Sequence, residues 1–376
     1  MRFLLTLPAL LLAVTAAAPA AEQFPSSAGP LAVETVARGL VNPWSLAFLP
    51  DGRMLVTERP GRMRIVTRAG QLSPPLEGVP TVYAQSQAGL MDVMLARDFA
   101  QSREIFFCYA EPYEGGARIA VARAHLEDGG KPRLAGVAII FRQRGPADHG
   151  YNIGCRMVQA PDGNLFVTLG DHLKDAKMAQ TLDNDIGKIV RITREGKAPP
   201  DNPFVGRQGA LPEIWAYGLR NAEGLAFNPA DGKLWEQEHG PMGGDEINII
   251  EKGGNYGWPV VSFGVNYDGS PVGTGKAHQD GMIDPVWHWT PSIAPSGMAF
   301  YTGDMFPGWK GSLINGALKY QLLSRLTLDS DKAVKEERLL QDLHERIRDV
   351  RQGPDGALYL LTDNASGRIL RVVPAK

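Results

Sequence analysis

The chain has 376 residues, with 39 Lys and Arg against 41 Asp and Glu, for a net charge of −2. That balance excludes a strongly basic nucleic-acid binder, and no run of like charge marks an interaction tail. Hydrophobic residues at 44% and charged residues at 21% exclude a disordered chain, and two cysteines exclude a disulfide scaffold. Glycine (43) and proline (28) together exceed the usual share of about 12%, so many turns and many short strands are expected.

The N-terminus reads as a secretory signal. Arg2 is followed by the apolar run Phe3 to Ala17 and by the small-residue cleavage site Ala18-Pro19-Ala20. A signal peptide over 1–20 and a single mature domain over 21–376 are expected. The apolar run is shorter than the roughly 20 residues a span needs, and no later run is long enough, so no membrane span is expected after cleavage. The expected compartment is oxidising, a periplasm. Cys108 and Cys155 are candidates for a disulfide there; spacing alone leaves their pairing open.

One phrase recurs along the chain: an apolar strand, a turn built on Asp and Gly, and a second apolar strand. Its copies run Leu46–Thr57 around Pro50-Asp51-Gly52, Val93–Tyr109 around Asp98, and Met157–Thr168 around Pro161-Asp162-Gly163. They continue as Leu225–Trp235 around Asp231-Gly232, Met298–Ile314 around Asp304, and Val350–Leu361 around Pro354-Asp355-Gly356. Asp-Gly supplies turn conformations that other residues resist, so each copy predicts a hairpin. Several copies are followed by a third strand written Gly-basic-apolar, as in Gly61–Val66, Gly187–Ile192 and Gly367–Val372. Six such units with no long helical pattern between them predict an all-β, six-bladed β-propeller with four-stranded antiparallel blades. The last copy stops after its third strand, and the alternating segment Leu31–Ala37 is expected to close the ring as the missing outer strand. A two-sheet sandwich is the alternative, and this chain exceeds its usual size.

In a propeller, functional groups come from the loops around the central channel. The richest loop is Glu238-His239-Gly240-Pro241-Met242-Gly243-Gly244-Asp245-Glu246, after the fourth copy. Its glycines let carbonyls converge, and its acids suit a hard cation such as Ca²⁺. Arg220-Asn221, Lys319, and Arg346 with Arg348 also stand at repeat junctions. Arg346 and Arg348, two apart, share one face of a strand. On one rim, these groups would bind a ligand with several carboxylates or phosphates. The third copy is entered through Asp148-His149 and Asn152 and left through Asp171-His172, which offers a His–Asp pair for base chemistry.

Taken together, Gln87–Asp92, Leu219–Ala226, Glu238–Asn248, Gly253–Pro259, Pro291–Gly297 and Arg346–Val350 resemble the soluble glucose/sorbosone dehydrogenases. Those are quinoproteins that use pyrroloquinoline quinone (PQQ) with Ca²⁺, and they include periplasmic aldose sugar dehydrogenases. The resemblance runs from about Leu40 to Val373 and implies a six-bladed propeller that oxidises aldoses to lactones. It implies that the Gly240 and Pro241 carbonyls hold Ca²⁺, and that Arg220 and Asn221 lie near the reactive quinone carbonyls. Lys319, Arg346 and Arg348 would hold the cofactor's carboxylates, with Gln87, His239 and Ser292 beside it. One position departs from the family pattern. The general base is a His four residues before an Arg, and here Asn152 stands four before Arg156. Cys155 replaces a residue that is usually small, often Gly. A neutral amide cannot accept a proton at neutral pH. Either His149, Asp171 or His172 substitutes, or the protein binds PQQ or sugar with weak or no turnover. A Ca²⁺-dependent lactonase on the same fold is a further alternative. The sugar, the electron acceptor and the oligomeric state are not legible in the sequence.

Overall fold

Each of the six recurring phrases folds as an antiparallel hairpin, the innermost pair of strands of one blade. This computed structural model describes residues 22–375, so the expected signal peptide lies outside the described residues. At the first and third turns Gly52 and Gly163 adopt φ of +83° and +88°, the left-handed conformation that makes glycine the fitting residue. The innermost strands are Pro43–Phe48, Leu90–Leu95, Gly154–Gln159, Ala222–Phe227, Pro295–Phe300 and Ile347–Gln352. Successive innermost strands touch around a ring, which makes the protein a six-bladed β-propeller.

Blades 2 to 5 have four strands each. Blade 6 closes the ring as expected. Leu31–Leu40 pairs antiparallel with Gly367–Pro374 and supplies its outer strand, and Glu22–Phe24 adds a fifth. Blade 1 has three strands, and its edge at Arg62–Val66 is covered by the following segment, where Ser73 and Leu76 N–H donate to Ile65 and Met63. Pro74 and Pro75 then deny that edge further donors. Six hydrophobic clusters fill the seams between blades. One is built on Phe106, Val121, Val167 and Val190 between blades 2 and 3, and another on Leu46, Val56, Leu361 and Ile369 between blades 6 and 1.

The axis is polar. Arg156, 2% exposed, pairs with Asp92 of blade 2 and Asp349 of blade 6, both at 3.1 Å. Its Nε donates to the Glu223 carbonyl of blade 4 at 3.0 Å, and its guanidinium lies 4.3 Å from the Trp44 ring of blade 1. Asp92 also accepts from Ser45 of blade 1, and Asp349 accepts from the Leu46 N–H. Cys108 and Cys155 form a disulfide that joins blades 2 and 3. Cys155 has φ of +82°, the conformation glycine takes most readily, inside a bulge between Gly154 and Met157.

Arg156 and Arg351 share the two buried carboxylates, so removing Arg156 leaves both with Arg351 as their one cation. Arg156→Met should lower the unfolding free energy by about 3–5 kcal/mol in urea titrations. Lys310→Met, which removes an ion pair with the exposed Asp304, should cost under about 1 kcal/mol. Equal losses for the two variants would refute this reading of the axis.

Candidate active site

Every blade sends two loops to the same face: the one entering its innermost strand and the one leaving its second. Gln87, Asn152, Arg220, Ser292 and Arg346 lie on entering loops, while Arg59, Asp171, His239, Lys319 and Asp363 lie on leaving loops. A cavity of about 340 Å³ opens on this face. Arg59, Gln87, Glu223, His239, Arg346 and Arg348 line it, with Asp363.

The arginines are held by acids. Arg348 pairs with Glu223 at 2.5 Å and Asp363 at 3.7 Å, and Arg346 pairs with Asp363 at 3.1 Å. Burial pushes Asp363 upward, but Arg348 and Arg346 outweigh it and hold its carboxyl below the usual carboxylate range. Three arginines against two acids leave the lining cationic. Arg220 Nη1 donates to the His239 and Gly240 carbonyls, both at 3.0 Å. The Nε atoms of Arg348, in this cavity, and of Arg220, in the adjoining opening with Pro241 and Trp258, are buried without an acceptor among the described residues. Orphaned guanidinium donors in a cationic pocket suit a multiply charged anion. A planar tricarboxylate such as PQQ fits that donor set.

The Gly240 loop is shaped from behind. Asp245 accepts from the Gly240 N–H at 2.8 Å, from the Ala294 N–H at 2.8 Å and from Ser292 Oγ at 2.7 Å. A Cβ on Gly240 would come within 2.2 Å of the Gly243 carbonyl oxygen, so only glycine permits this closure. Among the described residues no group of three or more His, Cys, Asp or Glu is arranged to hold a metal. A cation here would therefore rest on the Gly240 and Pro241 carbonyls and on its own bound ligand. Behind the loop lie Glu236, Glu238 and Glu246, all buried. Burial pushes Glu238 up to about 7, against hydrogen bonds from the Arg220 and Asn221 N–H groups.

The third-blade entrance carries the substituted base position. Asn152 Nδ2 donates to Asp171 Oδ1 at 2.9 Å, and its N–H donates to Gln87 Oε1 at 2.8 Å. Asp171 Oδ2 accepts from Trp258 Nε1 at 2.7 Å. Burial raises the Asp171 pKa above the usual carboxylate value, although Arg220 and these hydrogen bonds oppose it. The Asn152 amide is thus oriented with Nδ2 on Asp171, which leaves Oδ1 without a protein donor among the described residues.

Several expectations need correction. His149 is exposed beside Gly116 at a hairpin end and makes no hydrogen bond to Asn152 or Asp171. His172 is buried, 3.2 Å from Gln143, and burial drives its pKa down to about 3, so it stays neutral and holds the loop. Ser292 spends its hydroxyl on Asp245 rather than lining the cavity. Asn221 is fully buried; its amide ties Gly154 (2.9 Å) to Glu223 (3.2 Å) and so organises the floor. Lys319 is exposed at the rim, near Tyr320, outside the cavity wall. Conversely, Arg59, Glu223, Trp258 and Asp363 went unrecognised as site residues. Arg59 and Asp363 follow the second strands of their repeats, as His239 does, and that periodic position was the signal available.

A propeller whose loop face carries a cationic cavity beside a glycine-shaped carbonyl turn is the frame on which this chain's lineage rests. The glucose/sorbosone dehydrogenase description matches residues 40–371, and the chain belongs to that family. It is 46% identical over 345 residues to the aldose sugar dehydrogenase YliI of Escherichia coli, covering 91% of this chain and 92% of that one. The apo crystal structure of the soluble aldose sugar dehydrogenase from Escherichia coli superposes with a TM-score of 0.88 at 45% identity, over 92% of this chain and 100% of that one. The PQQ-bound aldose sugar dehydrogenase from Streptomyces coelicolor does so with a TM-score of 0.76 at 28% identity, over 91% and 98%.

The buried neutral His172 has a consequence for pH. Its folded pKa, about 3, lies below the ordinary 6.5, so the unfolded chain binds the extra proton between these values. Its contribution to stability is present above pH 6.5 and is lost as pH falls toward 3. His172→Gln should flatten the acid limb of the stability curve by about 1 kcal/mol per pH unit between pH 4 and 6, read by denaturant midpoints. An unchanged slope would contradict a neutral buried His172.

Proposed function

We propose that this protein oxidises aldose sugars to lactones, with PQQ and Ca²⁺ as cofactors on the loop face. The observation that supports this most is the orphaned Nε of Arg348 in the cationic cavity, next to a second opening of about 270 Å³ on the same face that Arg220, itself with an orphaned Nε, lines with Pro241 and Trp258. When bound, PQQ supplies a quinone that accepts hydride from the anomeric carbon, with Ca²⁺ as its Lewis acid. Arg59, Arg346 and Arg348 hold carboxylates, with Glu223 and Asp363 fixing the arginine forks in place. Gly240 and Pro241 present carbonyls to the cation, and Asp245 locks their turn. Gln87 and His239 line the wall; His239 Nε2 donates to the Pro295 carbonyl at 2.5 Å, which leaves Nδ1 as its acceptor. Arg220, 5.3 Å from the Trp258 ring, would steady negative charge on the bound quinone.

Asn152 binds rather than deprotonates. Its Oδ1 accepts a hydrogen bond from a sugar hydroxyl, and Asp171 keeps the amide turned for that contact. Asp171 is itself 0% exposed, so its carboxylate is screened from direct contact. The same observation favours a second reading, cofactor binding with weak turnover. Export of the chain through residues 1–20 to a periplasm belongs to this proposal, and no helix among the described residues is long and apolar enough to cross a membrane.

The test is a titration of metal-depleted protein with PQQ and Ca²⁺, followed by absorbance, then one addition of excess glucose. Binding with slow quinone reduction is expected, and Asn152→His should raise turnover by about 10²–10⁴-fold. No binding would overturn the proposal. Binding with no reduction by any aldose, in wild type and Asn152→His alike, would leave the binding protein as the better reading.

A further inference from the structure

The opposite face of the ring carries a second cavity, about 680 Å³ against 340 Å³ on the loop face. It sits at the seam where the ring closes, among the Asp51-Gly52 turn of blade 1, the Arg68-Ala69 turn, the Pro354-Asp355 turn of blade 6 and the closing strand at Glu34–Val36. These turns lie at the far ends of strands five or six residues long, so the strand length of ~17–20 Å separates them from the loop face.

Its floor is apolar and aromatic. Phe48 and Tyr359 meet edge to face with centroids 4.9 Å apart, beside Met54 and Val36. Its rim is charged with both signs. Arg371 is shared by Glu34 at 2.7 Å and Asp355 at 2.8 Å, so two carboxylates have one cation between them. Tyr359 Oη donates to the same Asp355 oxygen at 3.2 Å. Arg68 is different. It lies across Gly52, where a Cβ would come within 2.4 Å of its Nε, and has no carboxylate partner among the described residues. The nearby Asp51 is engaged by Arg53 at 2.7 Å.

We propose that this seam cavity binds a small polyhydroxylated carboxylate, the chemistry shared by hexuronates and aldonates. The three features match three parts of such a ligand. Arg68 offers a free fork for one carboxylate. Glu34 and Asp355, with spare lone pairs, accept from hydroxyls, and Arg371 donates to them. The aromatic and methionine floor receives the C–H face of the carbon skeleton. A neutral sugar leaves Arg68 unused, and a simple carboxylate leaves the acids and the floor unused.

Full-length protein carrying ¹³C-methyl methionine tests this. Met54 lines the seam cavity, while Met242 stands at the catalytic face and reports binding there separately. D-glucuronate, cyclic, and D-gluconate, open-chain, are the probes; glucose and acetate are comparators. The expected result is a saturable shift of the Met54 methyl with at least one of the two acids, about tenfold weaker with either comparator. Arg68→Ala should weaken it about tenfold with the ligand-free thermal midpoint unchanged, and Arg68→Lys should be intermediate. A stronger response to glucuronate assigns the site to ring acids, and a stronger response to gluconate to chain acids. A Met54 signal still under both acids, shifts confined to Met242, or equal affinity in Arg68→Ala would overturn the proposal. None of these outcomes depends on whether the loop face binds PQQ.

Discussion

Arg156 is the group on which the ring depends. Six wedge-shaped blades leave a channel where their innermost strands converge, and the backbone there is already committed to its own sheets. Something polar must hold the wedges together at the centre. Arg156 touches blades 2, 4 and 6 by ion pair or hydrogen bond and stacks near Trp44 of blade 1. Blade 5 joins through Ser296, whose hydroxyl donates to the Ile347 carbonyl of blade 6 at 2.6 Å. A buried charge of this kind is costly to install and more costly to leave half-paired. It therefore specifies one arrangement of blades rather than simply adding stability.

The site inherits its precision from that centre. Asn152 lies four residues before Arg156, with Cys155 and its disulfide between them. The left-handed backbone at Asn152 (φ +48°) and Cys155 (φ +82°) is held by the axis on one side and by blade 2 on the other. The Glu223 carbonyl binds Arg156, while its side chain fixes Arg348 in the cavity wall. One residue thus couples scaffold and cavity wall. Asp245 does the same for the Gly240 turn. Rigid placement of charged groups before a ligand arrives would let such a face take up the proposed polyanion without reorganising.

Much of this was legible in the sequence because it is local. Asp-Gly turns between apolar strands write each inner hairpin, and their number writes the blades. The closing strand Leu31–Leu40 was legible by subtraction, since the last copy lacked an outer strand. Arg220, Lys319, Arg346 and Arg348 could be singled out at repeat junctions, but not whether they share one rim; Arg346 and Arg348 line one cavity and Arg220 the opening beside it. What stayed hidden depends on partners distant in sequence. Nothing near Ser292 says that its hydroxyl serves Asp245, 47 residues away. Nothing near Arg348 says that Glu223, 125 residues away, neutralises it. His149 sits three residues from Asn152 in sequence but lies exposed at the surface. The three-stranded first blade was hidden too, because its edge is covered by an irregular segment with no strand pattern of its own.

Buried, unpartnered arginine donors on the loop face are proposed to hold a polyanionic quinone. Calorimetric titration of PQQ at saturating Ca²⁺ into wild type and Arg348→Met tests it most directly. The account predicts that Arg348→Met weakens binding by about 1.5–3 kcal/mol, or roughly ten- to hundredfold, with the fold intact by circular dichroism. Undiminished affinity in that variant would contradict it, because the orphaned donor would then have no part in holding the cofactor.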